Sequence, residues 1–296
     1  MRRFLVNIIW SALVFSCIYL FVGLVIVPPT LTYLYGATTQ EQIDLAFSTV
    51  VEQEYDTIVL GNSHASFGVD PSVFKSRVYN FSHVNDSYNQ CFYKLDYLDR
   101  KDKLPKVVIL IIDYFQFGVF SDSRNYAYQN YFPAEYLSDY PKKNYTALHL
   151  WNQLNPLKLN KLQFGTKVRT NKDGFQIKLG QRHTGDSKVR KMEWNNVQIS
   201  YFNKIAEFCL ENKIRLYLFM QPIQSKELSQ YTKSELDQFD AHIKTVLSSN
   251  NQVYFYNYSN RVLPSEYYSD NTHLNPFGAQ AFSLLIDSTL SSEIRE

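Results

Sequence analysis

The chain of 296 residues is poor in cysteine, methionine and tryptophan, with three of each, and holds only six histidines and ten glycines. Cys17, Cys91 and Cys209 stand far apart and show no metal-ligand spacing, so no zinc or iron site is implied. A Cys91–Cys209 disulfide stays open, because such pairs form in oxidising compartments. Cys17 sits within an apolar run that continues well past it, and reads as a small hydrophobe rather than a lipidation site. An excess of charge is also missing. Lys and Arg number 30 against 28 Asp and Glu, a net +2, which argues against a nucleic-acid binder, since phosphate recognition needs clustered basic residues. Internal repeats and low-complexity tracts are absent.

Aromatic residues are plentiful, with 23 Tyr and 21 Phe, read mainly as core and alternatively as a sugar-stacking face. The N-terminus carries the one long apolar run. Residues 4–27 hold no charged side chain and as a helix would extend about 36 Å, against about 30 Å of membrane hydrocarbon. A secretory signal has a shorter apolar core and a small-residue cleavage site, whereas Pro28-Pro29 ends this run. Residues 1–30 are therefore expected to be a cytoplasmic tip and a retained single transmembrane helix. Arg2 and Arg3 place the N-terminus inside and everything after about residue 30 outside the membrane.

Residues 31–54 read as a linker and 55–296 as the extracytoplasmic domain. Strands are expected at 56–61, 77–82, 106–113, 214–220 and 252–258, and helices at about 87–101, 192–213, 232–249 and 276–291. Near-continuous hydrophobic strands alternating with helices predict an α/β fold, an open doubly wound sheet of about five parallel strands. Residues 114–191 break the rhythm and are too long for a structureless loop in a compact domain. They read as an insertion, either a solvated excursion or a cover over the strand ends.

Two short stretches carry the chemistry. "IVLGNSHASFGVD" (58–70) ends a β-branched run at a glycine and presents Ser63 between Asn62 and His64. The carboxyl edge of an open α/β sheet is where ligands bind, so Ser63 is a candidate nucleophile. "YYSDNTHLNPFGAQAF" (267–282) sets Asp270 three residues before His273, just ahead of the last helix. That spacing lets a carboxylate hold Nδ1 and leave Nε2 facing a serine.

With these motifs the chain resembles the SGNH/GDSL hydrolase superfamily. "GNSH" at 61–64 is similar to its first block and "DNTH" at 270–273 to its last; the resemblance covers roughly 55–292 without the insertion. The anchor, the Val-Asp-Pro after the serine turn and "VYNFSHVNDSYNQ" make it look more like the membrane-anchored DltD, AlgJ and AlgX group, which works beside membrane-bound O-acyltransferases. Departures are Asn62 where many members have Asp, Asn85 in place of the oxyanion glycine, and Asp113-Tyr114-Phe115-Gln116 in place of Gly-x-Asn-Asp.

The resemblance implies a three-layer flavodoxin-like domain and a Ser63–His273–Asp270 acyl-enzyme, with no cofactor and no metal. It implies Asn85 and, more weakly, Asn62 as oxyanion donors. His83, Asp113 and His64 are possible cleft residues; His83 reads first as structural, and His64 as a poor base because adjacent side chains point apart. His149, His183 and His242 have no partner at interpretable spacing. Three functions follow. One is an O-acyltransferase, acetyl before D-alanyl, modifying an extracytoplasmic polysaccharide, cell-wall polymer or glycolipid with a multi-pass membrane O-acyltransferase at the bacterial cytoplasmic membrane. The others are an esterase that removes such groups and a non-catalytic subunit that docks the acceptor.

Overall fold

The computed structural model describes residues 1–22, 39–119, 122–137, 167–179 and 191–293. Its centre is a five-stranded sheet, β1 (Thr57–Leu60), β2 (Val78–Asn80), β3 (Val107–Ile111), β6 (Arg215–Met220) and β7 (Val253–Asn257). The strands run parallel in the order β2-β1-β3-β6-β7, so the chain reverses its direction of travel across the sheet after β2. That reversal opens a crevice at the carboxyl ends of β1 and β3, the place where open α/β sheets bind ligands.

Period-two alternation explains why both faces are apolar. Ile58, Leu60, Val108 and Leu110 enter one core cluster, while Val59, Val107, Ile109 and Ile111 enter the other. The first is covered by α2 (Thr39–Glu52), α4 (Tyr88–Asp99), α5 (Asn196–Glu211) and α7 (Lys233–Ser249). The second is covered by the short α3 (Ser63–Gly68) and by α8 (Pro276–Glu293), through Ala65, Phe282, Ile286 and Leu290. A four-residue turn of helix, α6 (Ser225–Leu228), follows β6. This is the expected three-layer α/β arrangement, with all five strands within a few residues of their expected positions.

One expectation needs correction, one of two open readings is set aside, and one is not met among the described residues. The stretch 31–54 is not simply a linker, because α2 occupies Thr39–Glu52 and buries Ile43, Ala46, Phe47 and Val50. Their spacing is that of one helical face, and Phe47 stacks on Tyr131 with ring centroids 4.0 Å apart. The insertion is not merely a solvated excursion either. Its described parts include the hairpin of β4 (Lys167–Thr170) and β5 (Gln176–Leu179), and Phe117, Tyr128, Phe132 and Phe175 are buried. Third, α1 (Arg2–Phe21) covers most of the expected span, yet among the described residues no helix is long and apolar enough to cross a membrane. The rest of the 4–27 run, after residue 22, lies outside the described residues. Cys91 and Cys209 are both buried free thiols, which leaves no disulfide between them.

Candidate active site

β1 ends at Leu60 and the chain turns at Gly61, whose φ of +140° is a backbone conformation that side chains disfavour. A Cβ there would come within 2.8 Å of the Ala65 Cβ and 2.9 Å of the Ile111 carbonyl, so the turn requires glycine. Asn62 then caps α3, its Oδ1 accepting from the His64 N–H at 2.8 Å. Ser63 becomes the first residue of that helix, at the crevice.

The opposite wall comes from the segment before α8. Asp270 folds the loop back on itself, its Oδ1 accepting from the backbone N–H of Thr272 (3.0 Å) and of His273 (2.8 Å). The same carboxylate meets His273 Nδ1 at 2.9 and 3.0 Å, and His273 Nε2 meets Ser63 Oγ at 2.9 Å. Carboxylate, imidazole and hydroxyl thus form one unbroken relay across 210 residues of sequence. Gln221, at the end of β6, steadies the loop by donating to the Thr272 carbonyl at 2.7 Å. Nothing in the sequence pattern marked that glutamine.

The relay opens into a cleft of about 220 Å3 lined by Asn85, Ile112, Tyr114, Met220, Ile223 and Tyr231 beside the reacting groups. Asn85 has φ +68°, the left-handed region where glycine and asparagine are tolerated best. Neither its N–H nor that of Ser63 meets a hydrogen-bond acceptor among the described residues. Two unspent donors at the mouth of a nucleophile turn suit a developing oxyanion.

Asn62, the other oxyanion candidate, is committed elsewhere. Its Nδ2 donates to Asp113 Oδ2 at 2.6 Å and to Gln116 Oε1 at 3.4 Å, and only 6% of the residue is exposed. Its side chain is therefore not a free oxyanion donor. Asp113 also meets His64 Nδ1 at 2.5 Å, so Asp113 and His64 form a second carboxylate–imidazole pair. Both residues line the cleft. Although Ser63 and His64 open the same helical turn and both line the cleft, their side chains take different partners, Ser63 Oγ meeting His273 and His64 Nδ1 meeting Asp113. The His64 and His273 rings meet edge to face with centroids 5.1 Å apart.

His83 lies behind the cleft instead of in it. Its Nδ1 accepts from Lys94 Nζ at 2.7 Å, and Lys94 also donates to the Phe81 carbonyl and to Asp86 Oδ2, each at 2.6 Å. Arg124 Nε (3.3 Å) and Tyr128 OH (2.5 Å) complete Asp86 from the insertion side. Burial, then the Lys94 and Arg124 cations, hold the His83 imidazole well below the ordinary histidine range, so it is neutral. Lys94 is pushed down by burial, partly offset by the Asp86 carboxylate. This buried cluster supports the Asn85 turn from below.

A protein-family model matches residues 170–295, less than half of the chain. No curated protein matches it. Solved structures similar to it include a proposed platelet activating factor from Streptococcus pneumonia, 11% identical with a TM-score of 0.46, covering 85% of this chain and 92% of that one. A proposed acylhydrolase from Bacteroides fragilis is 12% identical with a TM-score of 0.45, covering 87% and 99%. A GDSL-like lipase from Bacteroides thetaiotaomicron is 13% identical with a TM-score of 0.43, covering 86% and 98%.

Proposed function

We propose that this protein is an SGNH-type serine acyltransferase that moves an acyl group, acetyl before D-alanyl, onto a hydroxyl of an extracytoplasmic polysaccharide, cell-wall polymer or glycolipid. The observation that carries this reading is the continuous Ser63–His273–Asp270 relay, with contacts of 2.9 Å at the serine and 2.9 and 3.0 Å at the carboxylate. His273 takes the Ser63 proton as Oγ attacks the acyl carbonyl, then passes it to the leaving group. Asp270 holds Nδ1–H and stabilises the imidazolium. The Ser63 and Asn85 N–H groups receive the oxyanion. In the second half His273 deprotonates the acceptor hydroxyl and returns the proton to Ser63.

Hydrolysis uses the same acyl-enzyme with water as acceptor, and is the broader chemistry that the relay supports. Docking of an acceptor without catalysis would leave the serine–imidazole contact and the two unpaired N–H groups without a purpose. The proposed setting is the bacterial cytoplasmic membrane, with the N-terminus inside and the sheet domain periplasmic or extracellular. The uncharged run 4–27 supports it, as do the exposed apolar side chains of Phe4, Ile9, Trp10, Phe15 and Ile18 on α1. A multi-pass membrane O-acyltransferase is the proposed partner that delivers the acyl group.

The test is intact-mass analysis of the full-length chain in detergent after treatment with a serine-reactive fluorophosphonate. One adduct is expected, lost in Ser63→Ala and strongly slowed in His273→Ala. A folded protein that forms no adduct would overturn the covalent mechanism.

A further inference from the structure

The relay holds the His273 ring at two points, Nδ1 on the Asp270 carboxylate and Nε2 on Ser63 Oγ. Two such bonds fix an axis through the imidazole and resist a tilt of the ring plane about it only weakly, since hydrogen bonds tolerate some bending. Helix α3 opposes that tilt. His64 and Phe67, three apart and therefore on one face of this short helix, both set against the imidazole. Their ring centroids lie 5.1 and 5.6 Å from that of His273, with interplanar angles of 75° and 82°. The helix that opens on the nucleophile thus also brackets its base.

The two brackets differ in kind: Phe67 is apolar, whereas His64 is tied to the sheet. Its Nδ1 meets Asp113 Oδ1 at 2.5 Å, Asn62 Nδ2 donates to Asp113 Oδ2 at 2.6 Å, and Asn62 Oδ1 accepts the His64 N–H at 2.8 Å. Three buried residues so close one ring of hydrogen bonds just beyond β3, the middle strand of the sheet. A phenylalanine at 64 would pack against His273 without the desolvation that a buried carboxylate–imidazole pair costs, so the pair serves geometry more than stability. We infer that His64 and Asp113 are positioning residues of the relay. Asp113 fixes the His64 ring, and that ring fixes the plane of the His273 imidazole so that Nε2 stays in line with Ser63 Oγ. This rests on the acyl-enzyme reading and adds to it two residues that act through His273. Because His273 serves both acylation and transfer, a tilt of its ring slows both halves.

The experiment measures steady-state turnover of p-nitrophenyl acetate by the full-length chain in detergent, for wild type, Asp113→Asn, His64→Phe and the double variant. Asp113→Asn offers an oxygen to only one of Asn62 and His64, and His64→Phe keeps a ring against His273 but loses the tie. Each single variant is expected to lower kcat by about 10-fold to 100-fold, the scale of loss when a reacting group is displaced by up to about 1 Å. KM is expected to stay within about twofold, whereas a general loosening of the cleft would move KM as well. The double variant is expected within about twofold of the slower single, because Asp113 acts through His64. Should His64→Phe not fold, because it strands the Asp113 carboxylate, the double variant removes that charge and is compared with Asp113→Asn, where kcat values within about twofold of each other are again expected.

Wild-type kcat in the folded single variants would overturn the inference, as would a loss carried by KM or losses that multiply in the double variant. Absence of any Ser63-dependent p-nitrophenol release by the wild type would instead bring down the acyl-enzyme reading, and this inference with it. The two failures are therefore distinct.

Discussion

Asn85 stands at φ +68° with its N–H turned to no protein acceptor, and those two properties make opposite demands on a substitution. Glycine satisfies both, since it adopts positive φ freely and keeps the N–H. Asn85→Gly is therefore expected to retain the fluorophosphonate labelling rate within about twofold and to change stability by less than about 1 kcal/mol. Asn85→Val keeps the N–H but strains the backbone, at a cost of about 1–2 kcal/mol in a thermal melt. A collapse of labelling in Asn85→Gly would show that the side chain, not the backbone, serves the oxyanion. Asp270→Asn tests the other end of the relay. It removes the carboxylate that fixes Nδ1–H, and the expected loss is about 10²–10⁴-fold in labelling rate with the fold intact by circular dichroism. At this scale the motifs alone brought Ser63, Asp270 and His273 forward, because each is tied to a local turn that sequence spacing reveals. The roles of Asn62, His64 and Asp113 were hidden, since their hydrogen bonds join positions about 50 apart. No spacing rule encodes a contact made by two strands lying side by side.

The element that departs most from expectation is α2. Its apolar face, Ile43, Ala46, Phe47 and Val50, is a plain helical repeat, but mean hydropathy over the helix is low and the uncharged run before it draws the eye to the membrane. Packing reverses that impression. Phe47 is fully buried against Phe81, Tyr97, Tyr128, Tyr131 and Phe132, so it joins α2 to β2, α4 and the insertion in one aromatic cluster. Phe47→Ala is expected to cost about 3–5 kcal/mol, read as a lowered denaturation midpoint. A true linker would lose nothing measurable. The hairpin of β4 and β5 was likewise unread: Lys167–Thr170 and Gln176–Leu179 do alternate polar with apolar residues, but each is only four residues long and lies in a polar stretch rich in Lys and Arg. What fixes it is backbone chemistry: the Asp173 carbonyl at its turn accepts the Asn80 N–H at 2.9 Å, and Gly174 at φ +82° leaves room for the Asn80 carbonyl. The hairpin thereby covers the outer edge of β2, an edge that would otherwise be open to pairing with another chain.

Across the whole molecule, the sheet, α4 and the insertion are joined at one buried charged cluster of His83, Asp86, Lys94, Arg124 and Tyr128. A single carboxylate, Asp86, serves two cations there, and its removal strands both. Asp86→Asn is accordingly expected to cost about 3–5 kcal/mol, more than any exposed ion pair, and to slow Ser63 labelling because the Asn85 turn sits directly above it. The same cluster sets a direction for acid stability. His83 binds a proton more weakly in the folded protein than in the unfolded chain, whose ordinary value is 6.5, because burial and the Lys94 and Arg124 cations disfavour the imidazolium. His242 is shifted the same way by burial alone. Its full contribution is thus present above pH 6.5, and as pH falls the unfolded chain takes up protons that the folded one refuses, so stability declines. For His83 alone the slope approaches about 1.4 kcal/mol per pH unit until the folded protein also protonates. Urea midpoints between pH 7.5 and 5 are expected to fall with a shallower slope in His83→Gln than in wild type. Parallel slopes would mean that other groups govern the acid limit and that the cluster does not couple protonation to the integrity of the oxyanion turn.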